Sequence, residues 1–194
     1  MKKILLFCFF ALFSVSLSFT QIYRGEGEGK NGIVAVSLHF VDYADFRYLF
    51  YIDGVSIFLD EDNIIHLEAV LEKFGEWEAI AAEGQITLTK TIDSITFTAF
   101  HFSHTFFREP LIFYFVFTGG PEKTADSAGT DSNAATTEST AQYTLYIDTT
   151  LERIPSFHLS SKTVQEFLEA LSPEKLAEAK TAHERQKALE KLFN

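Results

Sequence analysis

One cysteine, one methionine, one tryptophan and four prolines are all that these 194 residues hold of those types, and 16 Lys and Arg stand against 27 Asp and Glu for a net charge of -11. Each shortage excludes something. A lone cysteine rules out a disulfide scaffold and a multi-thiolate zinc site. So few prolines, with only 10 glycines, rule out a collagen-like chain. The deficit of positive charge argues against a nucleic-acid backbone or an anionic lipid surface as main partner, because both are held by surplus Lys and Arg. What is plentiful is apolar: 46% of the residues are hydrophobic and 21 are Phe, the composition of a folded chain rather than a disordered one.

Long hydrophobic runs are also missing, except at the start. Lys2 and Lys3 precede an almost unbroken apolar stretch from Ile4 to Leu17. It is shorter than the roughly 20 residues that span a bilayer core. Ser16 and Ser18 place small side chains where a signal peptidase reads them, so residues 1–20 are expected to be a signal peptide, cut after Ser18 or Thr20. Residues 21–194 are then a single exported domain, periplasmic or secreted, with no transmembrane segment after signal removal. Cys8 lies in the middle of the run behind the bulky Phe7, unlike a lipoprotein cysteine at its end. The mature chain therefore has neither Cys nor Met, and thiol chemistry drops out.

Hydrophobic periodicity lays out the elements. Residues 23–32 (YRGEGEGKNG), rich in Gly and charge, read as a flexible leading segment. Residues 33–41 (IVAVSLHFV) are apolar on both faces at their start and read as a buried strand. Strands at 47–52 and 55–59 flank Asp53-Gly54, the composition of a type I′ hairpin turn. Behind the capping residues Asp60, Glu61 and Asp62, apolar side chains recur at steps of three and four from Ile64 to Ala81. This predicts a helix over 63–83 that stops at Gly84, with packing or a close contact to account for Gly75 inside it. Segments 85–92 and 95–102 alternate about Asp93-Ser94 and read as a second hairpin. Residues 111–118 (LIFYFVFT) form a strand whose antiparallel mate is 142–148. Between them, 119–141 contains no large apolar residue and reads as a disordered low-complexity loop. From Ser160 or Ser161 the chain is helical, with a break before Pro173, giving a C-terminal helical segment over 161–193.

The fold class that follows is α+β: an antiparallel sheet of about six or seven strands built from hairpins, one long amphipathic helix packed on it, and C-terminal helices. Alternating aromatic strands also suit an outer-membrane barrel, but the long helix and helical C-terminus speak against that.

Motifs that carry chemistry are scarce. Gly27, Gly29 and Gly32 match G-x-G-x-x-G, yet a dinucleotide site needs a strand before the glycines and a helix after them. Ser127, between Asp126 and Ala128, resembles a nucleophile elbow but sits in the low-complexity loop, where nothing can strain it. His101 and His104, with Glu109 beyond, form the densest titratable cluster and are the weak metal candidates; a third ligand would come from Glu109 or from His39, His66 or His158. Glu68, Glu72 and Glu76 line one helix face at i, i+4, i+8 and are the weak interaction candidates, a solvated acidic face being the ordinary account. Phe97, Phe100, Phe102, Phe106, Phe107, Phe113, Phe115 and Phe117 either fill a core or line an apolar cavity.

No catalytic residues and no cofactor are assigned. The expected function is a non-enzymatic binding or protein-interaction module of a bacterial envelope, its partner another envelope protein. The alternatives are an envelope hydrolase or metal protein centred on His101 and His104, or a carrier of an apolar ligand.

Overall fold

Period-two alternation along eight strands drives the architecture of the computed structural model, which describes residues 19–43, 45–100, 108–120, 142–150, 152 and 154–193. In chain order these are β1 (Thr20–Gly29), β2 (Gly32–Tyr43), β3 (Phe46–Ile52), β4 (Val55–Leu59), helix α1 (Glu61–Gly84), β5 (Leu88–Phe100), β6 (Arg108–Gly120), β7 (Gln142–Thr149), β8 (Phe157–Ser160), and helices α2 (Ser161–Ala170) and α3 (Pro173–Phe193). Every strand is antiparallel to the next, and the sheet curls until β8 meets β1, Glu28 opposite His158 and Gly29 opposite Phe157. The contact of β4 with β5 is equally brief, Ile57 opposite Ala99 and Phe58 opposite Thr98.

The α+β class and antiparallel sheet agree with the sequence; the strand count does not. Among the described residues there are eight strands rather than six or seven. Residues 23–32 are not a flexible leader: most of them belong to β1, and the alternating glycines have a packing reason. A Cβ on Gly27 would lie 2.7 Å from Phe157 Cδ2 and 2.9 Å from the His158 carbonyl oxygen, so only glycine lets β1 approach β8 at the seam. Where the expected hairpin over 85–102 falls, Leu88–Phe100 is one strand, β5, with a register shift between Thr91 and Asp93 just before the expected turn, and 101 and 102 lie outside the described residues. Strand β8 was not anticipated. The Asp53-Gly54 turn is as expected, both residues having positive φ (43° and 92°). Among the described residues two helices are long rather than one, because α3 runs for 21 residues against 24 in α1.

Inward-facing residues of every strand meet in one core. Leu38 and Phe40 of β2, Phe50 and Ile52 of β3, Phe97 of β5, and Phe113, Phe115 and Phe117 of β6 are buried there. Phe97 meets Phe113 edge-on at 5.0 Å, Phe50 lies 6.5 Å from Phe113, and Phe117 stacks on Tyr143 at 5.5 Å. These are the separations at which aromatic quadrupoles attract. An eight-stranded barrel has room for its own side chains or for one small ligand. Here these Phe side chains pack on one another, as a core does.

By register, the start of β1, the ends of β2 and β4, the start of β5 and the end of β8 share one end of the barrel, where the helices gather. α1 continues beyond β4 along β5, covering the stretch of β5 that β4 is too short to pair. Its N-cap is a capping box: Asp60 Oδ1 accepts from the Asn63 amide at 2.8 Å, and Asn63 Oδ1 accepts from the Asp60 amide at 3.4 Å. Phe74 then reaches Phe117 at 5.4 Å. Gln85, not Gly84, takes the left-handed turn at its C-terminus. Gly75 faces open space with nothing within 4 Å of a Cβ, so no close contact accounts for it. α2, capped by Ser160, drives Phe167 onto Tyr23 at 4.4 Å and within 5.8 Å of Phe50. Burial, with Glu166 nearby, pushes the Tyr23 phenol up to about 12, and its hydroxyl donates to the Thr163 carbonyl at 3.4 Å. Among the described residues no helix is long and apolar enough to cross a membrane.

Candidate binding groove on the outer face

The residues that alternate with the core form a second surface. Arg24, Ser37, Tyr51 and Ser56 stand in one register row across β1 to β4, and Gln21, His39, Leu49 and Phe58 in another. An irregularity between Gln21 and Tyr23 shifts the parity of β1, which is how Gln21 and Arg24 both reach this face. All of these but Phe58, together with Phe19 and Ala35, line a cleft of about 420 Å³.

The cleft is amphipathic. Leu49, which lines the cleft, belongs to a small buried outer cluster with Val41, Phe46 and Phe58, giving the cleft an apolar end. Phe19, 44% exposed, sets its ring edge-on to His39 at 6.3 Å, and Tyr51 is 38% exposed. At the polar end Arg24 is exposed, with no ion pair among the described residues. Ser37 Oγ and His39 Nε2 lie 2.9 Å apart. Burial lowers the His39 pKa, so its ring is neutral at pH 7, with one nitrogen to donate and one to accept.

Among the described residues this pair lacks the setting of a nucleophile. No carboxylate orients the second nitrogen of His39 among the described residues, and Ser37 is paired with Arg24 on one side and Tyr51 on the other, inside ladders that occupy the nearby amides. A triad needs the orienting acid and an oxyanion site needs free N–H donors. The arrangement can hold a ligand: apolar contact at one end, charge and hydrogen bonds at the other.

The residues singled out from sequence lie elsewhere. His101 and His104 are outside the described residues, and Glu109 falls in β6 with its side chain also outside them. The other histidines offered as ligands are apart and engaged: His39 on Ser37, His66 Nε2 on Asp93 at 2.8 Å, His158 Nδ1 on Thr144 at 3.1 Å. Hydrogen bonding to His66, then to the Ser94 amide, holds the Asp93 carboxyl below its ordinary range. Among the described residues no three His, Cys, Asp or Glu side chains are grouped to hold a metal ion. Glu72 and Glu76 are exposed and Glu68 half-buried, and Lys73 Nζ reaches Glu76 at 2.6 Å, so part of that acidic row is neutralised within the helix. The low-complexity loop lies outside the described residues from 121 to 141.

Arg24, Ser37 and Tyr51 escaped the sequence reading. The signal was present: Ser37 and His39 are polar at alternate positions of an otherwise apolar strand, marking one face of β2 as unlike the other. Reading 33–41 as buried on both faces hid it; Ile33 is in fact exposed and His39 half-buried. The chain matches no family model, no curated protein and no solved structure.

Proposed function

We propose that this is an exported, non-enzymatic binding module of a bacterial envelope, whose barrel is a scaffold and whose ligand site is the outer groove across β1 to β4. The observation that carries the reading is the division of one set of strands into a packed inner face and an open amphipathic outer one. Curling of the sheet, with helices along its remaining edges, favours recognition through side chains over strand addition. The groove fits a ligand with an apolar body and one anionic group, the anion on Arg24 and the body against Leu49, Tyr51 and Phe19. An acidic envelope protein repels most anions at long range, so a local cation gives selectivity for those that also carry apolar surface.

Export rests on the N-terminal run. Cleavage after Ser18 keeps Phe19 in the groove, whereas cleavage after Thr20 removes it, so the mature N-terminus bears directly on the site. The test is an amide NMR titration of the chain from Phe19 onward with 4-phenylbutyrate. Saturable shifts confined to Arg24, Ser37, His39, Leu49 and Tyr51, and lost in Arg24→Ala, are the expected result. Unchanged spectra at millimolar probe, or shifts that survive in Arg24→Ala, would overturn the reading.

A further inference from the structure

We infer that helix α3 is an acid-released strap, docked on β1 and β2 while His183 is uncharged and lifted when its imidazole takes a proton. Tyrosines aside, His183 is the one charged or titratable side chain among the described residues that is buried, at 1% exposure. Neither Nδ1 nor Nε2 has a hydrogen-bond partner among those residues. The ring is packed as an apolar group, edge-on to Phe40 at 5.3 Å. A protonated ring in that position would be a buried cation with two unsatisfied N–H donors, a state that proteins avoid by neutralising the group or moving it into water.

Moving it is feasible because little else anchors α3. Its buried side chains are Ala179 and His183, with Leu176 partly covered, whereas α1 buries Ile64, Leu67, Val70, Leu71, Phe74 and Ala81. Beyond His183 the helix is tied to β2 by Lys187 Nζ on Asp42 Oδ2 at 2.6 Å, an exposed pair, and Leu189 and Leu192 face solvent. The charges acting on His183 are Lys187, Glu184 and Glu190 from its own helix and Asp42 from β2, which also accepts from Arg47. β1 and α2, the other elements against α3, add none to that set. Burial, then Lys187, lowers the His183 pKa from 6.5, and the three carboxylates only partly offset this.

The sign follows from that lowering. The docked helix binds the proton less well than the released one, so docking is fully favoured above about pH 6.5 and weakens as pH falls below it. One proton makes the opening equilibrium rise by up to tenfold per pH unit.

Hydrogen exchange of the 176–187 amides between pH 7.5 and 5, corrected for intrinsic exchange, tests this on the whole mature chain. The expected result is acid-promoted opening of α3 in the wild type, none in His183→Leu, and no change in α1 in either. Equal acid opening in both proteins, or none in the wild type, would overturn it. Should His183→Leu fail to fold, NMR titration of the wild-type His183 ring decides: a pKa below 6.5 supports the strap, and one at or above 6.5 contradicts it.

Discussion

Phe50 and Tyr51 are neighbours on β3 and meet opposite worlds. Phe50, 1% exposed, faces Phe113 and Phe167 across the core, so that β3, β6 and α2 all converge on it. Tyr51 stands on the outer face between Ser37 and Ser56, open to water in the groove. The same contrast runs along β2, where Val34, Val36, Leu38 and Phe40 point in while Ala35, Ser37 and His39 point out. One strand thus serves two purposes by alternation. Its inner face is bound by packing from several elements, and its outer face is free to carry recognition with little effect on folding.

Substitutions can sharpen that contrast or break it. Phe50→Ala leaves a void where three elements meet and is expected to cost about 3–5 kcal/mol, read from urea unfolding followed by Trp77 fluorescence. A loss near 1 kcal/mol would mean the inner face is less tightly packed than described. Gly27→Ala probes the seam: its methyl group meets Phe157 and a backbone oxygen, and about 1–3 kcal/mol of stability is expected to go in the same assay. Gly75→Ala, on the open side of α1, is expected to act in the opposite direction, adding about 0.5–1 kcal/mol, since nothing opposes the methyl group. Tyr51→Ala is expected to shift stability by no more than about 0.5 kcal/mol while weakening 4-phenylbutyrate binding. If Tyr51→Ala destabilised as much as Phe50→Ala, the two faces would not be distinct in function.

How legible this was in the sequence depended on the range of the physics. Local signals survived well: the Asp53-Gly54 turn, the capping residues before α1, the apolar stripe from Ile64 to Ala81, Ser160 as a cap and Pro173 at a helix start all act within a few residues. Strand β1 was lost because Gly27 answers to β8, more than a hundred residues later in the chain, and a rule based on local propensity takes Gly for flexibility. The single strand β5 was divided because Asp93-Ser94 has turn composition but sits at an irregularity in the pairing with β6. The groove was hidden for a related reason. Arg24, Ser37 and Tyr51 become neighbours only through register, which composition does not fix.

Whether recognition lies on the outside of a packed barrel is decided by a crystal structure of the mature protein with 4-phenylbutyrate. The probe is expected in the outer groove, its carboxylate on Arg24 and its ring against Leu49 and Tyr51. A ring seated instead in the barrel interior among Phe97 and Phe113 would contradict it and make the protein a carrier of apolar ligands.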